Sequence, residues 1–212
     1  MADKTINGVP NTQRVPGWRK REIPLVIVES DPKWSEYYEM FKSRIMDAFD
    51  GVAWEGDGNG VKILTINHVG STSVPGLPAK EIIDIDLVIS SVDLSAEESY
   101  VPRLEAAGFE FRLREPSWYE HRFFWTPKPI SCHLHVWGPL CPEVERHRIF
   151  RDWLRTSKED RELYANIKME SAAVSREKGE DAMEYNTRKE WVIKEILLRA
   201  FRSLQLLDGE RV

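Results

Sequence analysis

The stretch that decides the fold runs from residue 61 to residue 89: Val61-Lys62-Ile63-Leu64-Thr65-Ile66-Asn67-His68-Val69-Gly70-Ser71-Thr72-Ser73-Val74-Pro75-Gly76-Leu77-Pro78-Ala79-Lys80-Glu81-Ile82-Ile83-Asp84-Ile85-Asp86-Leu87-Val88-Ile89. Val61 to Val69 alternates enough to be a strand, and it runs straight into Gly70-Ser71-Thr72-Ser73. A loop from Val74 to Lys80 follows, punctuated by Pro75, Gly76 and Pro78, and Ile82 to Ile89 is a second strand. Asp84 and Asp86 interrupt that apolar run two positions apart, so the period of a strand sends both carboxylates to one face. Two acids held so close repel, and a hard divalent cation, Mg²⁺ or Mn²⁺, compensates them. A wet sheet edge, or pairing with Arg and Lys, would compensate them equally well. The residues before the pair favour a ligand. Gly70 lets backbone amides approach a phosphate, Ser71 adds a hydroxyl donor, and Lys80 adds a point charge for the same group. Gly-Ser alone is a plain turn, but strand, Gly-Ser, short loop and strand with Asp-x-Asp is a much rarer combination.

Upstream, residues 1–20 are polar, broken by Pro10 and Pro16, and without period, which predicts a flexible leader. Leu25-Val26-Ile27-Val28 reads as a short strand. Asp31-Pro32 then opens a helix as N-cap and first-turn proline, with Trp34, Tyr38, Phe41, Ile45 and Phe49 as its buried stripe and Gly51 to Gly60 as the loop after it. Downstream, Ser95 to Ala107 predicts a helix closed by Gly108, and Phe109–Leu113, His121–Thr126 and Cys132–Trp137 predict three strands.

From Pro142 the texture is helical. Val144, His147, Ile149 or Phe150, and Leu154 mark one amphipathic helix. Ser157-Lys158-Glu159-Asp160 resembles a capping box and starts a second through Leu163, Ile167 and Met169. Asp181 to Leu207 forms a third, with Trp191, Ile196 and Leu198 among its apolar positions and Gly209 just beyond. No internal repeat is apparent. The expectation is a leader over 1–20 and one α+β domain over 21–212, with a mixed β-sheet flanked by helices and a helical tail.

Composition narrows the function. The 212 residues are 42% apolar and 31% charged, and 30 basic against 35 acidic side chains leave a formal charge of −5. A chain of this length buries roughly 70% of its surface and needs no disulfide or structural metal. Residues 1–142 carry 15 basic and 20 acidic side chains and residues 143–212 carry 15 of each, so neither half has the basic excess that nucleic-acid binding demands. Cys132 and Cys141 are too few for a secreted scaffold and lack zinc spacing, and no apolar signal segment or membrane span is evident, so the expected home is the cytoplasm. No Ser-His-Asp order suggests nucleophilic catalysis.

His68 to Ile85 closely resembles the signature of the GrpB (UPF0157) family, which is assigned to the nucleotidyltransferase superfamily. Val28-Glu29-Ser30-Asp31-Pro32-Lys33-Trp34 resembles that family's start, Arg122-Phe123-Phe124 and His133-Leu134-His135-Val136 its central strands, and Phe150-Arg151-Asp152-Trp153-Leu154 its first tail helix. About residues 24–200 are covered.

The resemblance implies a nucleotidyltransferase-like fold, a Gly-Ser turn holding nucleotide phosphates, two acids on the next strand binding metal, and a third acid on a later strand. Gly70, Ser71 and Asp84 fall on matching positions, with Thr72 in the same turn, and Asp86 suits the second acid. Where the third acid belongs, this chain has His133 and His135, two apart on one strand face. They either take its place as metal ligands or hydrogen-bond within the pocket wall. Imidazole is a poor partner for Mg²⁺ and a good one for Mn²⁺, Zn²⁺ or Fe²⁺. Arg122, on the family match, and Lys128 are candidate phosphate clamps. Trp118, Trp125 and Trp137 are placed to stack on a base or to pack in the core.

The expected activity is metal-dependent transfer of a nucleotidyl group from a nucleoside triphosphate to a small-molecule acceptor. The ion sits on Asp84, Asp86, His133 and His135, phosphates are held by Gly70, Ser71, Thr72, Lys80 and Arg122, and Asp86 or His133 takes the acceptor's proton. The alternatives are a non-catalytic nucleotide-binding or accessory domain, linked by the resemblance to coenzyme A metabolism, and another ATP-dependent transfer or ligation. Monomer and small homo-oligomer are both open.

Overall fold

The computed structural model describes residues 12–17, 25–49 and 60–207. Six strands, β1 (Gln13–Arg14), β2 (Ile63–Val69), β3 (Ile82–Ile89), β4 (Glu110–Glu115), β5 (His121–Thr126) and β6 (Ser131–Trp137), form one sheet in the order β1-β4-β5-β6-β3-β2. Only β3 and β6 run parallel; the other pairs are antiparallel. The helices are α1 (Lys33–Phe49), α2 (Glu97–Ala106), α3 (Pro142–Thr156), α4 (Lys158–Lys178) and α5 (Ala182–Ser203). No helix among the described residues is long and apolar enough to cross a membrane.

The strand period sorts the sheet into two unlike faces. Ile83, Ile85, Leu87 and Ile89 of β3 and Cys132, Leu134 and Val136 of β6 point to one side, where Trp34, Phe41 and Ile45 of α1 and Tyr100 and Leu104 of α2 cover them in the main core. Asp84 and Asp86 of β3 and His133 and His135 of β6 therefore face the other side. The parallel register sets Asp84 opposite His133 and Asp86 opposite His135.

The three C-terminal helices build a second core with the loop between β2 and β3. Leu154 of α3, Tyr164 and Ala165 of α4 and Val192 and Ile196 of α5 pack with Val74 and Leu77. Their cations also tie down carbonyls at the end of β2 and in that loop. Arg151 donates to the His68 oxygen at 2.9 Å, Arg155 to the Ser73 oxygen at 2.8 and 3.1 Å, and Lys168 Nζ to the Pro78 oxygen at 2.6 Å.

Several expectations hold residue by residue. The Asp31 carboxylate accepts from the Lys33 amide at 2.9 Å at the start of α1, Ser157 caps α4 by accepting from the Asp160 amide, and Gly108, at φ +86°, follows α2. Others need correction. The predicted strand at 25–28 contributes only a bridge from Val28 to Ala79, because Leu25 packs against Ala172 and Tyr185 and not beside a sheet edge. Part of the supposed leader is an edge strand, with Gln13 and Arg14 paired to Arg114 and Leu113. The predicted helix at 95–107 opens as a 3₁₀ turn over Leu94–Ala96. The last helix ends at Ser203, and Leu163, Met169, Trp191 and Leu198 lie toward solvent, since α4 and α5 present Ala165, Ala172, Val192, Leu197 and Ala200 inward. The loop expected from Gly51 to Gly60, apart from its last residue, and Gly209 lie outside the described residues.

Candidate functional site

Where β2 ends and β3 begins, the chain brings the Gly70-Ser71 turn against the first acid. Gly70 holds φ +68° and ψ −172°, a conformation open to glycine and closed to other residues. A Cβ there would meet Asp84 Oδ2 at 2.3 Å. Glycine is thus required by the carboxylate's approach to the turn, a different reason from the phosphate approach expected of it. Asp84, His133 and His135 each bring one ligand atom within 4.8 Å of the others, and His133 Nδ1 lies 3.2 Å from Asp84 Oδ1. Burial pushes the Asp84 carboxyl up. The His133 hydrogen bond, with the neighbouring imidazoles of His133 and His135 and the Lys80 charge, outweighs it and holds the group below its ordinary value.

A relay behind the cluster orients His135. Glu115 Oε2 lies 2.7 Å from His121 Nδ1, and His121 Nε2 lies 3.0 Å from His135 Nδ1. A carboxylate only accepts, so His121 carries its proton on Nδ1 and its Nε2 accepts from His135 Nδ1–H. That leaves the lone pair on His135 Nε2 free, an arrangement that could serve a metal-binding histidine whose other nitrogen is held from behind. Burial, followed by the nearby His121, keeps His135 well below the ordinary histidine value, so it stays neutral as a ligand must.

Asp86 does not join this group. Its buried carboxylate is shared between Trp137 Nε1–H, which donates to Oδ1 at 2.9 Å, and His147 Nδ1, 2.9 Å from Oδ2. The two acids share a face as expected, yet one strand period separates them, and α3 lays His147 over the second. The expectation of a two-acid ion site is corrected accordingly: the converging donors are one carboxylate and two imidazoles.

Thr72 and Arg122 are also committed elsewhere. The Thr72 hydroxyl donates to the Ile82 oxygen at 2.9 Å and accepts from His68 Nε2 at 3.1 Å, which leaves it little to offer a phosphate. Arg122 lies opposite Val136, on the helix-covered face, where its fully buried guanidinium meets Glu97 Oε1 at 2.7 Å and Glu120. It pairs inside the core and does not line the cleft. Lys128 is exposed beyond β5 and is likewise outside the cleft wall. Trp137 is core, Trp125 donates to the Ser131 hydroxyl at 3.0 Å, and of the three tryptophans only Trp118 lines the cleft.

The cleft is about 780 Å³ and runs from the Gly70-Ser71 turn and the Asp84 cluster to α4 and α5. Four lysines line it; Lys194 pairs with Glu190 at 2.6 Å, and the other three converge on the cleft. Lys80 and Lys189 lie 5.2 and 5.0 Å from the Tyr185 ring centre, and Lys168, 2% exposed, lies 5.2 Å from that of Tyr164. Among the described residues none of the three has a carboxylate within 4.0 Å. Burial, then mutual repulsion, lowers Lys80 and lowers Lys168 far more. Of the three only Lys168 is buried, held by the Pro78 carbonyl oxygen, and a buried cation at a cavity wall is costly unless an anion comes to meet it. Sequence reasoning reached Lys80 but missed Lys168, Lys189 and His147, and the relay residues His121 and Glu115, because helical or strand partners so far apart in the chain carry no local signature. For Lys168 one signal exists: it sits four residues after Tyr164 on a helix face that, Asp160 apart, is otherwise made of apolar and small residues.

With this geometry in view, comparison with known proteins places the chain. The profile of the family described as GrpB protein matches residues 24–199. The chain belongs to the GrpB family. It is 39% identical over 176 residues to the UPF0157 protein BH1888 of Halalkalibacterium halodurans, covering 83% of this chain and 82% of that protein. The crystal structure of the GrpB protein from Enterococcus faecalis superposes with a TM-score of 0.66 at 22% identity, over 85% of this chain and 99% of that one, and so shares the fold. The chain is also 26% identical over 195 residues to the dephospho-CoA kinase of Mycobacterium tuberculosis, covering 80% of this chain and 44% of that protein.

Proposed function

We propose that this GrpB protein binds a nucleoside triphosphate in the cleft and transfers its nucleotidyl group to a small acceptor with the aid of a divalent ion on Asp84, His133 and His135. The observation that carries the reading is the presence, in one cleft, of that donor group and of Lys80, Lys168 and Lys189, which have no carboxylate partner within 4.0 Å among the described residues. A polyphosphate is the ligand whose charge suits both. Its phosphates would neutralise the lysines, and its α-phosphate would come to rest between them and Asp84, beside Ser71.

One carboxylate and two imidazoles fit a borderline divalent ion, so Mn²⁺ is a better match than Mg²⁺, and Zn²⁺ or Fe²⁺ also suit the donors. Such an ion supplies charge neutralisation at the reacting phosphorus, the chief demand of phosphoryl-type transfer. The protein's own part is positioning. The lysines hold the leaving pyrophosphate, and the backbone at Gly70 keeps Asp84 in place.

The test is calorimetry with ATP, GTP, CTP and UTP in the presence of Mn²⁺, joined to an assay for pyrophosphate. Lys168→Met and Lys189→Ala should each weaken triphosphate binding by roughly tenfold or more, since each removes a charge-assisted contact. Unchanged affinity in both would refute the reading. A second reading, a nucleotide-binding accessory domain, is favoured by the diversion of Asp86, which leaves a single acid in the ligand group. The occurrence of a related region in dephospho-CoA kinase suggests coenzyme A metabolism as its setting. Binding without pyrophosphate release would decide for it.

A further inference from the structure

The buried Asp86 and its half-buried partner His147 have no part in the ligand group. Asp86 is fully buried, and its two oxygens have one partner each, Trp137 Nε1–H and His147 Nδ1, both at 2.9 Å. A carboxylate acceptor at Nδ1 requires the proton there. The other nitrogen gives the same answer independently. Arg146 Nη2 lies 3.4 Å from His147 Nε2, and a guanidinium can only donate, so Nε2 presents its lone pair. His147 lines the cleft, and its ring centre is 6.4 Å from that of His135, at the edge of the ligand group. Glu143, 3.9 Å from Nε2, holds Arg146 through two hydrogen bonds of 2.9 and 2.6 Å.

We propose that His147 is the catalytic proton acceptor for the incoming acceptor group, and that Asp86 is its positioning residue; this rests on the nucleotidyl-transfer reading. The acceptor is then a hydroxyl compound that enters from the α3 side of the cleft, between Trp118 and His147, and takes the place of Arg146 at the Nε2 lone pair. As its oxygen bonds to the α-phosphorus, its proton passes to Nε2. The bond from that phosphorus to the bridging oxygen breaks, and pyrophosphate leaves with the electron pair. The imidazolium formed is balanced by the buried Asp86 charge, as in any carboxylate-imidazole base pair.

Asp86→Asn separates this role from a merely structural one. The amide keeps the volume, and its oxygen still accepts from Trp137, but its N–H must face His147 Nδ1 and forces the proton onto Nε2. The ring stays in place and the cleft loses the lone pair. The experiment uses the full chain in two arms. In the first, diethyl pyrocarbonate labelling of His147 is followed by mass spectrometry, with His133 as internal reference. Asp86→Asn should slow labelling of His147 roughly tenfold or more at unchanged melting temperature; equal rates would overturn the proposal.

In the second arm, ATP, Mn²⁺ and water as the accepting hydroxyl yield AMP and pyrophosphate. His147→Gln and Asp86→Asn should retain ATP affinity and slow AMP formation by roughly 10²–10⁴-fold. Wild-type turnover in either variant overturns the proposal. Should the unmodified protein make no AMP at all, the nucleotidyl-transfer reading fails, and the labelling contrast alone then decides whether the pair is a proton acceptor.

Discussion

Gly70 and Asp84 occupy one another's space: the turn can sit beside the carboxylate only because residue 70 has no side chain, a Cβ there falling 2.3 Å from Oδ2. The relationship couples the backbone of one strand end to the carboxylate on the next strand. Gly70→Ala is expected to destabilise the protein by roughly 1–3 kcal/mol through its disfavoured dihedrals alone, and to push Asp84 out of reach of His133 and His135. Thermal denaturation combined with Mn²⁺ titration checks both effects. A variant that melts lower but binds Mn²⁺ normally would break the proposed link between turn and ligand.

The relay Glu115, His121 and His135 makes a prediction at a residue outside the cleft wall and outside the proposed ion site. Glu115→Gln removes the charge that fixes the His121 proton on Nδ1, and with it the preference of His135 for presenting Nε2. Loss of such a supporting contact typically weakens metal binding roughly 10–100-fold. Electron paramagnetic resonance of Mn²⁺ titrations should show that drop, and His133→Ala should show a larger one. Tighter binding of Mg²⁺ than of Mn²⁺ by the unmodified chain would contradict the donor set itself.

How far these features were legible beforehand depends on how local they are. The elements around Gly70 and Asp84 follow from a contiguous run, so strand period, turn residues and spacing were enough to place them. The pairing of β3 with β6 could not be read the same way, and it is this register that sets His133 against Asp84 and leaves Asp86 to His147. Arg122 shows the cost of an unknown register: moving it one position along β5 would have put it on the His135 side with Phe123. Lys168 and Lys189 lie on separate helices that meet the cleft only after α3, α4 and α5 have packed on the loop after β2. Of the apolar positions of α5, Ile196 is buried and Trp191 is exposed, because apolar side chains lie on more than one face of the helix and periodicity does not say which of them finds a partner.

Arg122 offers a control for the cleft. Together with Arg114 it holds the buried Glu97 carboxyl below its ordinary value, against the opposing effect of burial. Arg122→Met would leave Glu97 with Arg114 as its one remaining guanidinium partner among the described residues. The expected loss is roughly 2–3 kcal/mol, below that of a fully orphaned buried acid. Because Arg122 lies on the far face of the sheet, triphosphate affinity of the folded variant should equal that of the unmodified chain. Urea denaturation gives the first quantity and calorimetry the second, and a tenfold fall in affinity would return Arg122 to the binding site.

His68 sets an acid limit on the same loop. Burial, with Arg155 and Arg151 nearby and against the pull of Asp84, lowers it from the ordinary 6.5 to about 4, and its neutral ring stacks on Tyr38 at 4.8 Å while bonding Thr72. Between those two values the unfolded chain takes up a proton that the folded chain refuses. Stability contributed by the neutral ring is therefore complete above about 6.5, falls as pH drops toward about 4, and is level below that. The full span amounts to about 3 kcal/mol. His68→Gln can still donate to Thr72 and carries no proton to lose, so its stability difference between pH 7.5 and pH 4.5 should be smaller than that of the unmodified chain by about 2–3 kcal/mol. The comparison isolates His68 from His121 and His135, which burial shifts the same way and which both proteins retain. Urea titrations at the two pH values supply the measurement, and parallel pH dependence in the two proteins would show that His68 is not the group whose protonation loosens the turn.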